Sequence, residues 1–207
     1  MQQTEEARAR LRAMILGGEY AAGQRLTETQ VAAALEMSRT PVREALRGLT
    51  ADGLVRSAGG RGVVVAALDP AALRDTYRVR AALEALTAEL AAERQAAGLI
   101  APAELTALAA EADRTEEATL AGRLAEAVVR NRAFHCRVAA LAANAPAQAA
   151  LDRLWDQIVV STRASLDPPH RPAQVNAQHR ELVSAIAGGR AAEAAAVARQ
   201  HVLDTCG

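Results

Sequence analysis

The chain contains no lysine, so all 24 of its basic residues are arginine. A GC-rich coding bias accounts for that as readily as chemistry does, and it carries little functional weight. Aromatic residues make up only 2% of the 207 residues. The two cysteines, Cys136 and Cys206, are too few for the disulfide framework of a secreted domain. There is no N-terminal targeting pattern and no run of roughly 18 apolar residues that could span a bilayer. The formal net charge is zero, so whole-chain electrostatics point to neither a nucleic acid nor an anionic membrane. These absences predict a soluble, cytoplasmic protein with no membrane partner.

What is present favours helix. The chain is 51% hydrophobic and rich in alanine and arginine, both good helix formers, while β-branched residues are sparse. Its length allows one large domain or two small ones, and two is the expectation. Charge is unevenly divided: residues 1–66 carry nine arginines against seven acidic residues, and the remainder carries 15 against 17.

The punctuation of the chain divides it further. A helical pattern from Glu5 to Leu16 places Leu11, Ile15 and Leu16 on one side, and Gly17-Gly18 ends it. Thr27 with Gln30 has the spacing of a reciprocal capping box, opening a short helix through Val31 and Leu35. Ser38 is placed to cap the next helix, and Pro41 falls in its first turn, where a missing N–H costs nothing. After Asp52-Gly53, two short apolar segments flank a glycine-rich turn and predict a β-hairpin. Asp69-Pro70 marks a boundary. Beyond it the pattern predicts helices near 70–97, 102–120, 122–143, 146–166, 172–187 and 190–204, joined by short Gly- or Pro-containing connections. The expected fold is mostly α: three helices plus a hairpin over 1–66, a linker over 67–72, and an antiparallel all-helical bundle over 73–207.

The helix opening at Ser38 carries the first chemical signal. Val42, Ala45, Leu46 and Leu49 form an apolar stripe, which puts Arg39, Arg43 and Arg47 on a different, solvent-facing stripe. With the preceding helix and the turn Leu35-Glu36-Met37-Ser38 it forms a helix-turn-helix, whose second helix can enter the major groove of DNA. The planar arginine fork can bond guanine bidentately, and the Ser38 and Thr40 hydroxyls can reach phosphates. The bland alternative is a solvated arginine face on an ordinary amphipathic helix. The context argues against it, because the glycine-rich hairpin tip at Gly59-Gly60-Arg61-Gly62 is small enough to lie along a phosphate backbone as a wing.

The runs Gly23-Gln24-Arg25-Leu26-Thr27-Glu28, Ser38-Arg39-Thr40-Pro41-Val42-Arg43-Glu44-Ala45-Leu46, Asp52-Gly53-Leu54-Val55 and Gly59 to Val65 together resemble the winged helix-turn-helix of the GntR family of bacterial transcription regulators. The resemblance covers about residues 5–66. It implies that Arg39, Thr40 and Arg43 meet operator DNA with Gly60 at the wing. Thr29 departs from the pattern, standing where some relatives carry a DNA-contacting arginine.

The second signal is a set of histidines. Asn131 and His135 lie four apart, stacked on one helix face. His179 lies nine residues before Gly188 and His201 twelve after Gly189. In an antiparallel pair of helices that offset is about three residues, roughly 4.5 Å, so the two rings can reach one level. Three imidazoles converging inside a bundle suit zinc or nickel with a position left open. Taken singly, each histidine reads as an ordinary core or surface residue.

Residues from about 73 onward resemble the all-helical FCD effector domain of the FadR-type GntR subfamily, whose pattern Arg80, Glu84, His135, His179 and His201 fit. The resemblance implies a metal on the three histidines, a small carboxylate effector, and Arg80 and Arg163 as its anion partners. Asn131 stands where many relatives have a ligating aspartate, so a neutral oxygen replaces a charged one. His170 matches no role, and Cys136 points about 100° away from His135 on the helix.

Two other classes compete. A three-histidine metalloenzyme would need a positioned general base, and no His-Glu-x-x-His or second carboxylate cluster accompanies the histidines. A purely structural helical module leaves the arginine helix unexplained. The leading expectation is a homodimer that binds a pseudo-palindromic double-stranded operator and responds to a small organic acid.

Overall fold

The computed structural model describes residues 2–59, 62–162 and 173–205. The described residues form helices α1 (Gln2–Gly17), α2 (Glu28–Leu35), α3 (Arg39–Ala51), α4 (Pro70–Ala96), α5 (Pro102–Leu120), α6 (Leu124–Leu141), α7 (Ala145–Thr162), α8 (Ala173–Ala187) and α9 (Ala191–Asp204). Strands β1 (Arg25–Leu26), β2 (Val55–Ser57) and β3 (Val63–Val65) complete the secondary structure. The chain divides into two compact units.

The first unit takes in Met1–Leu73 and Arg153–Leu166. Its core is built from the apolar stripes of α1, α2 and α3: Leu11, Ile15, Val31, Leu35, Val42, Leu46 and Leu49 are all buried. Thr27 caps α2 as the sequence predicts, accepting from the Gln30 amide at 3.2 Å while the Gln30 side chain accepts from the Thr27 amide at 3.2 Å. Ser38 departs from expectation. It occupies the N-cap position of α3 with extended backbone, but its side chain makes no cap hydrogen bond. Between the two helices, Glu36 takes a left-handed conformation at φ 56° and ψ 41°. Its amide closes the end of α2 on the carbonyls of Ala32 and Ala33.

The predicted hairpin is β2 and β3, paired antiparallel with Val55 opposite Val65. The sequence did not show β1, which pairs with the other edge of β3 and gives the order β1-β3-β2. Gly62 opens β3 at φ 141°, where a Cβ would come 2.7 Å from the Leu26 carbonyl oxygen, so only glycine fits there. The C-terminal half of α7 completes the unit. Asp156 accepts a bidentate pair from Arg12, and Gln157 donates to the Asp52 carbonyl at 2.9 Å.

The second unit comprises Arg74–Asp152 and Asp167–Gly207, and its described part is helical. Its core is strongly alanine-based: Ala88, Ala91, Ala92, Ala112, Ala185, Ala194 and Ala198 pack around Phe134, Leu108, Leu182 and Ile186. Small residues let helix axes approach closely, which is how a core can form with 2% aromatics. Gly189 turns α8 into α9 with φ 65°, and its missing Cβ leaves room for Ala96 at the end of α4. That turn aligns the two C-terminal histidines.

Candidate functional site

In the first unit, α3 presents its polar face to solvent because the opposite face is fully committed. Val42, Ala45 and Leu49 are 0% exposed, and the side chains of Arg39, Arg43 and Arg47 are 57%, 46% and 70% exposed. Ser38 and Thr40 are exposed at the same end of the helix. The arginines are not isolated. Glu28, the first residue of α2, accepts from Arg39 Nη2 at 3.1 Å and from Arg43 Nε and Nη2 at 2.9 and 3.2 Å. Hydrogen bonds from Arg43 and then Arg39 hold the Glu28 carboxyl below its ordinary range, and the Arg43 guanidinium is raised in return. Arg47 pairs with Glu44 one turn away at 2.7 Å.

In the second unit, α6, α8 and α9 bring His135, His179 and His201 together, each at most 4% exposed. His201 Nε2 lies 3.1 Å from His135 Nε2 and 3.2 Å from His179 Nε2. One N–H can bridge only one of those contacts, leaving lone pair against lone pair at the other unless a cation sits among them. The tautomers are set from behind. Glu84 Oε2 lies 2.7 Å from His135 Nδ1, and Gln178 Oε1 lies 3.3 Å from His201 Nδ1, so each Nδ1 carries the proton and each Nε2 offers its lone pair.

Burial, and then the neighbouring His135 and His179, push the His201 imidazole well below its ordinary value, so it is neutral as a ligand must be. Burial by itself would raise the Glu84 carboxyl. The charge of Arg80 and the facing N–H of His135, with hydrogen bonds from both, outweigh that and hold it at about 2. Phe134 packs against the His179 ring with centroids 4.4 Å apart and shields that side from water.

The other expected site residues fall into place unevenly. Asn131, one turn before His135 on α6, is 1% exposed, and its Oδ1 accepts no hydrogen bond among the described residues. Arg80 is 2% exposed, bonds Glu84 Oε1 at 2.6 Å, and stacks over Tyr77 at 5.7 Å. Cys136 is partly buried and is not among the three clustered ligands. Gly60, Arg163 and His170 lie outside the described residues. The sequence carries no signal for Glu28 or Gln178, because nothing in a local pattern tells a glutamate to reach across to another helix or a glutamine to back a histidine 23 residues away.

Comparison with known proteins places this geometry. Residues 3–65 match the model of the bacterial regulatory proteins, gntR family, and residues 75–204 match the FCD domain. The chain is 38% identical over 80 residues to the uncharacterized HTH-type transcriptional regulator YdhC of Bacillus subtilis (strain 168), covering 39% of this chain and 36% of that one. It is 37% identical over 81 residues to the Nta operon transcriptional regulator of Aminobacter aminovorans, covering 39% of each. The chain thus spans little more than a third of the length of these curated relatives.

Among solved structures, E. coli McbR/YncC superposes with a TM-score of 0.82 at 20% identity, over 99% of this chain and 95% of that one. A putative transcriptional regulator GntR from Rhodococcus sp. RHA1 gives 0.76 at 23% identity, over 100% and 96%. At these identities the likeness shows the fold: an N-terminal winged helix-turn-helix followed by a helical domain. Both curated relatives and the Rhodococcus structure carry names that describe transcriptional regulators. With the FCD model spanning most of its length and the gntR model the segment before it, the chain belongs to the gntR family of bacterial regulatory proteins, in the FCD-containing, FadR-type branch.

Proposed function

We propose that this protein is a ligand-responsive transcription regulator that reads double-stranded operator DNA with α3 and senses a small organic acid at a divalent metal in its helical unit. The observation that carries the proposal is the exposed row of Arg39, Arg43 and Arg47 on a helix whose other face is buried. Three guanidinium groups one turn apart match acceptors on guanine edges and phosphates in a major groove, with Ser38 and Thr40 supplying hydroxyls at the helix start. Gly60 is assigned to the wing. The name of one relative, a regulator of an operon, agrees with this role.

His135, His179 and His201 would hold zinc or nickel, with Asn131 as an oxygen donor. The residues fit such an ion, because three Nε2 atoms converge and the buried amide oxygen of Asn131, one helical turn before His135, accepts no hydrogen bond among the described residues. A divalent cation there would supply a Lewis-acid centre for a carboxylate. The remaining work belongs to the protein: Glu84 and Gln178 orient two rings, Phe134 excludes water, and Arg80 with Arg163 provides positive charge for the acid.

One α3 per chain offers few base contacts, so two copies acting as a two-fold homodimer are the expected unit. That symmetry calls for a pseudo-palindromic operator with half-sites about one helical turn apart. Repeated selection of duplexes from a random-sequence pool tests the proposal. Enrichment of an inverted repeat with that spacing is expected, and a pool that yields no enriched sequence contradicts it.

A further inference from the structure

We infer that Glu28 is a positioning residue for base recognition: it braces one edge of the Arg43 guanidinium so that the other edge is free to take a guanine. A guanidinium has two bidentate edges, a side edge made of Nε and Nη2 and an end edge made of Nη1 and Nη2. Glu28 Oε1 and Oε2 take the side edge of Arg43 as a matched pair, at 2.9 and 3.2 Å. The end edge, Nη1 with the second N–H of Nη2, is the one that fits the O6 and N7 acceptors of guanine. A long arginine loses rotamer freedom when it docks on a base, and a carboxylate that already holds it removes much of that cost.

The brace is itself well anchored. Glu28 is the first residue of α2, where the helix dipole favours a carboxylate, and the Thr27–Gln30 capping box fixes the backbone beneath it. Arg39 donates to the same carboxylate at 3.1 Å, so Glu28 serves two arginines of α3. Its charge has a second effect. On a surface that must approach phosphates, a carboxylate repels the backbone of any duplex and penalises binding that offers no base contact in return. Glu28 therefore raises discrimination more than affinity.

The inference rests on α3 being the DNA-reading helix, and the test separates the two. Affinities of the full-length protein would be measured at one fixed salt concentration for a duplex it has enriched from a random pool and for an unselected duplex. Glu28→Gln is expected to bind the unselected duplex more tightly and to lower the selected-to-unselected ratio by about tenfold. Its thermal melt should fall only slightly, because Glu28 touches the solvated arginine face rather than the core and glutamine keeps its length and shape. Glu28→Asp keeps the charge but shortens the reach, so it should leave unselected binding unchanged and still lower the ratio. In an Arg43→Ala background, Glu28→Gln should lose most of its effect on the ratio. An unchanged ratio in Glu28→Gln, or an equal fall with and without Arg43, overturns the brace while leaving the DNA-reading helix in place. If Arg43→Ala itself leaves the ratio unchanged, Arg43 reads no base and the brace fails; if no duplex is enriched at all, the DNA-reading role of α3 fails first.

Discussion

Arg43 must be exposed enough to meet a base and ordered enough to meet it cheaply. Its side chain is 46% exposed while its fork is paired with Glu28, which satisfies both demands. Arg43→Ala is therefore expected to cost about 1–3 kcal/mol in binding a selected duplex, measured by gel shift at fixed salt, with no change in the melt. An unaltered affinity would remove Arg43 from the contact surface. The arginine row was legible in the sequence because the apolar stripe of Val42, Ala45, Leu46 and Leu49 forces the alternating face outward. The histidine cluster was legible for a different reason: the offsets of His179 and His201 from the Gly188-Gly189 turn fix their level on two antiparallel helices. The supports behind those residues were not. Glu28 and Gln178 act through side-chain reach between elements, which no periodicity encodes.

Among the elements, the turn joining α2 to α3 holds a conformation that its residue does not favour. Glu36 sits in the left-handed region, which costs a residue with a Cβ about 1–2 kcal/mol and glycine almost nothing. Glycine gives some of that back through the greater freedom of its unfolded chain. Glu36→Gly should stabilise the protein by about 0.5–1 kcal/mol, seen as a higher urea midpoint by circular dichroism. A lower midpoint would show that the Glu36 side chain contributes more than its backbone costs. Helices α1 to α9 lie close to their predicted spans because glycine, proline and Asn-Ala-Pro interrupt the pattern where the chain turns. Strand β1 escaped prediction since two residues cannot display an alternation. The placement of the C-terminal half of α7 with the first unit escaped it too, because a buried apolar residue such as Val160 shows that something covers it without showing what.

For the molecule as a whole, a zero net charge conceals a division of labour, since the excess of arginine lies in the segment that contains α3. None of the helices among the described residues is long and apolar enough to cross a membrane. The proposed regulator needs two recognition helices and a sensor that reports on a small acid, so assembly and metal content are properties to be read together. Imidazole must be neutral to ligate, and protons compete for the Nε2 lone pairs, so metal affinity falls as pH falls; because burial holds His201 well below its ordinary value, the ion should be retained through the ordinary imidazole range and leave only below it. The most direct measurement is native mass spectrometry of the full-length protein after exposure to zinc or nickel at neutral pH, beside His179→Ala treated in the same way. The expected species is a dimer carrying one metal ion per chain that is shed on acidification, with His179→Ala a dimer carrying none. A wild type that stays metal-free, or a His179→Ala variant that keeps one ion per chain, would contradict the metal-centred sensor and return His135, His179 and His201 to the role of ordinary core residues.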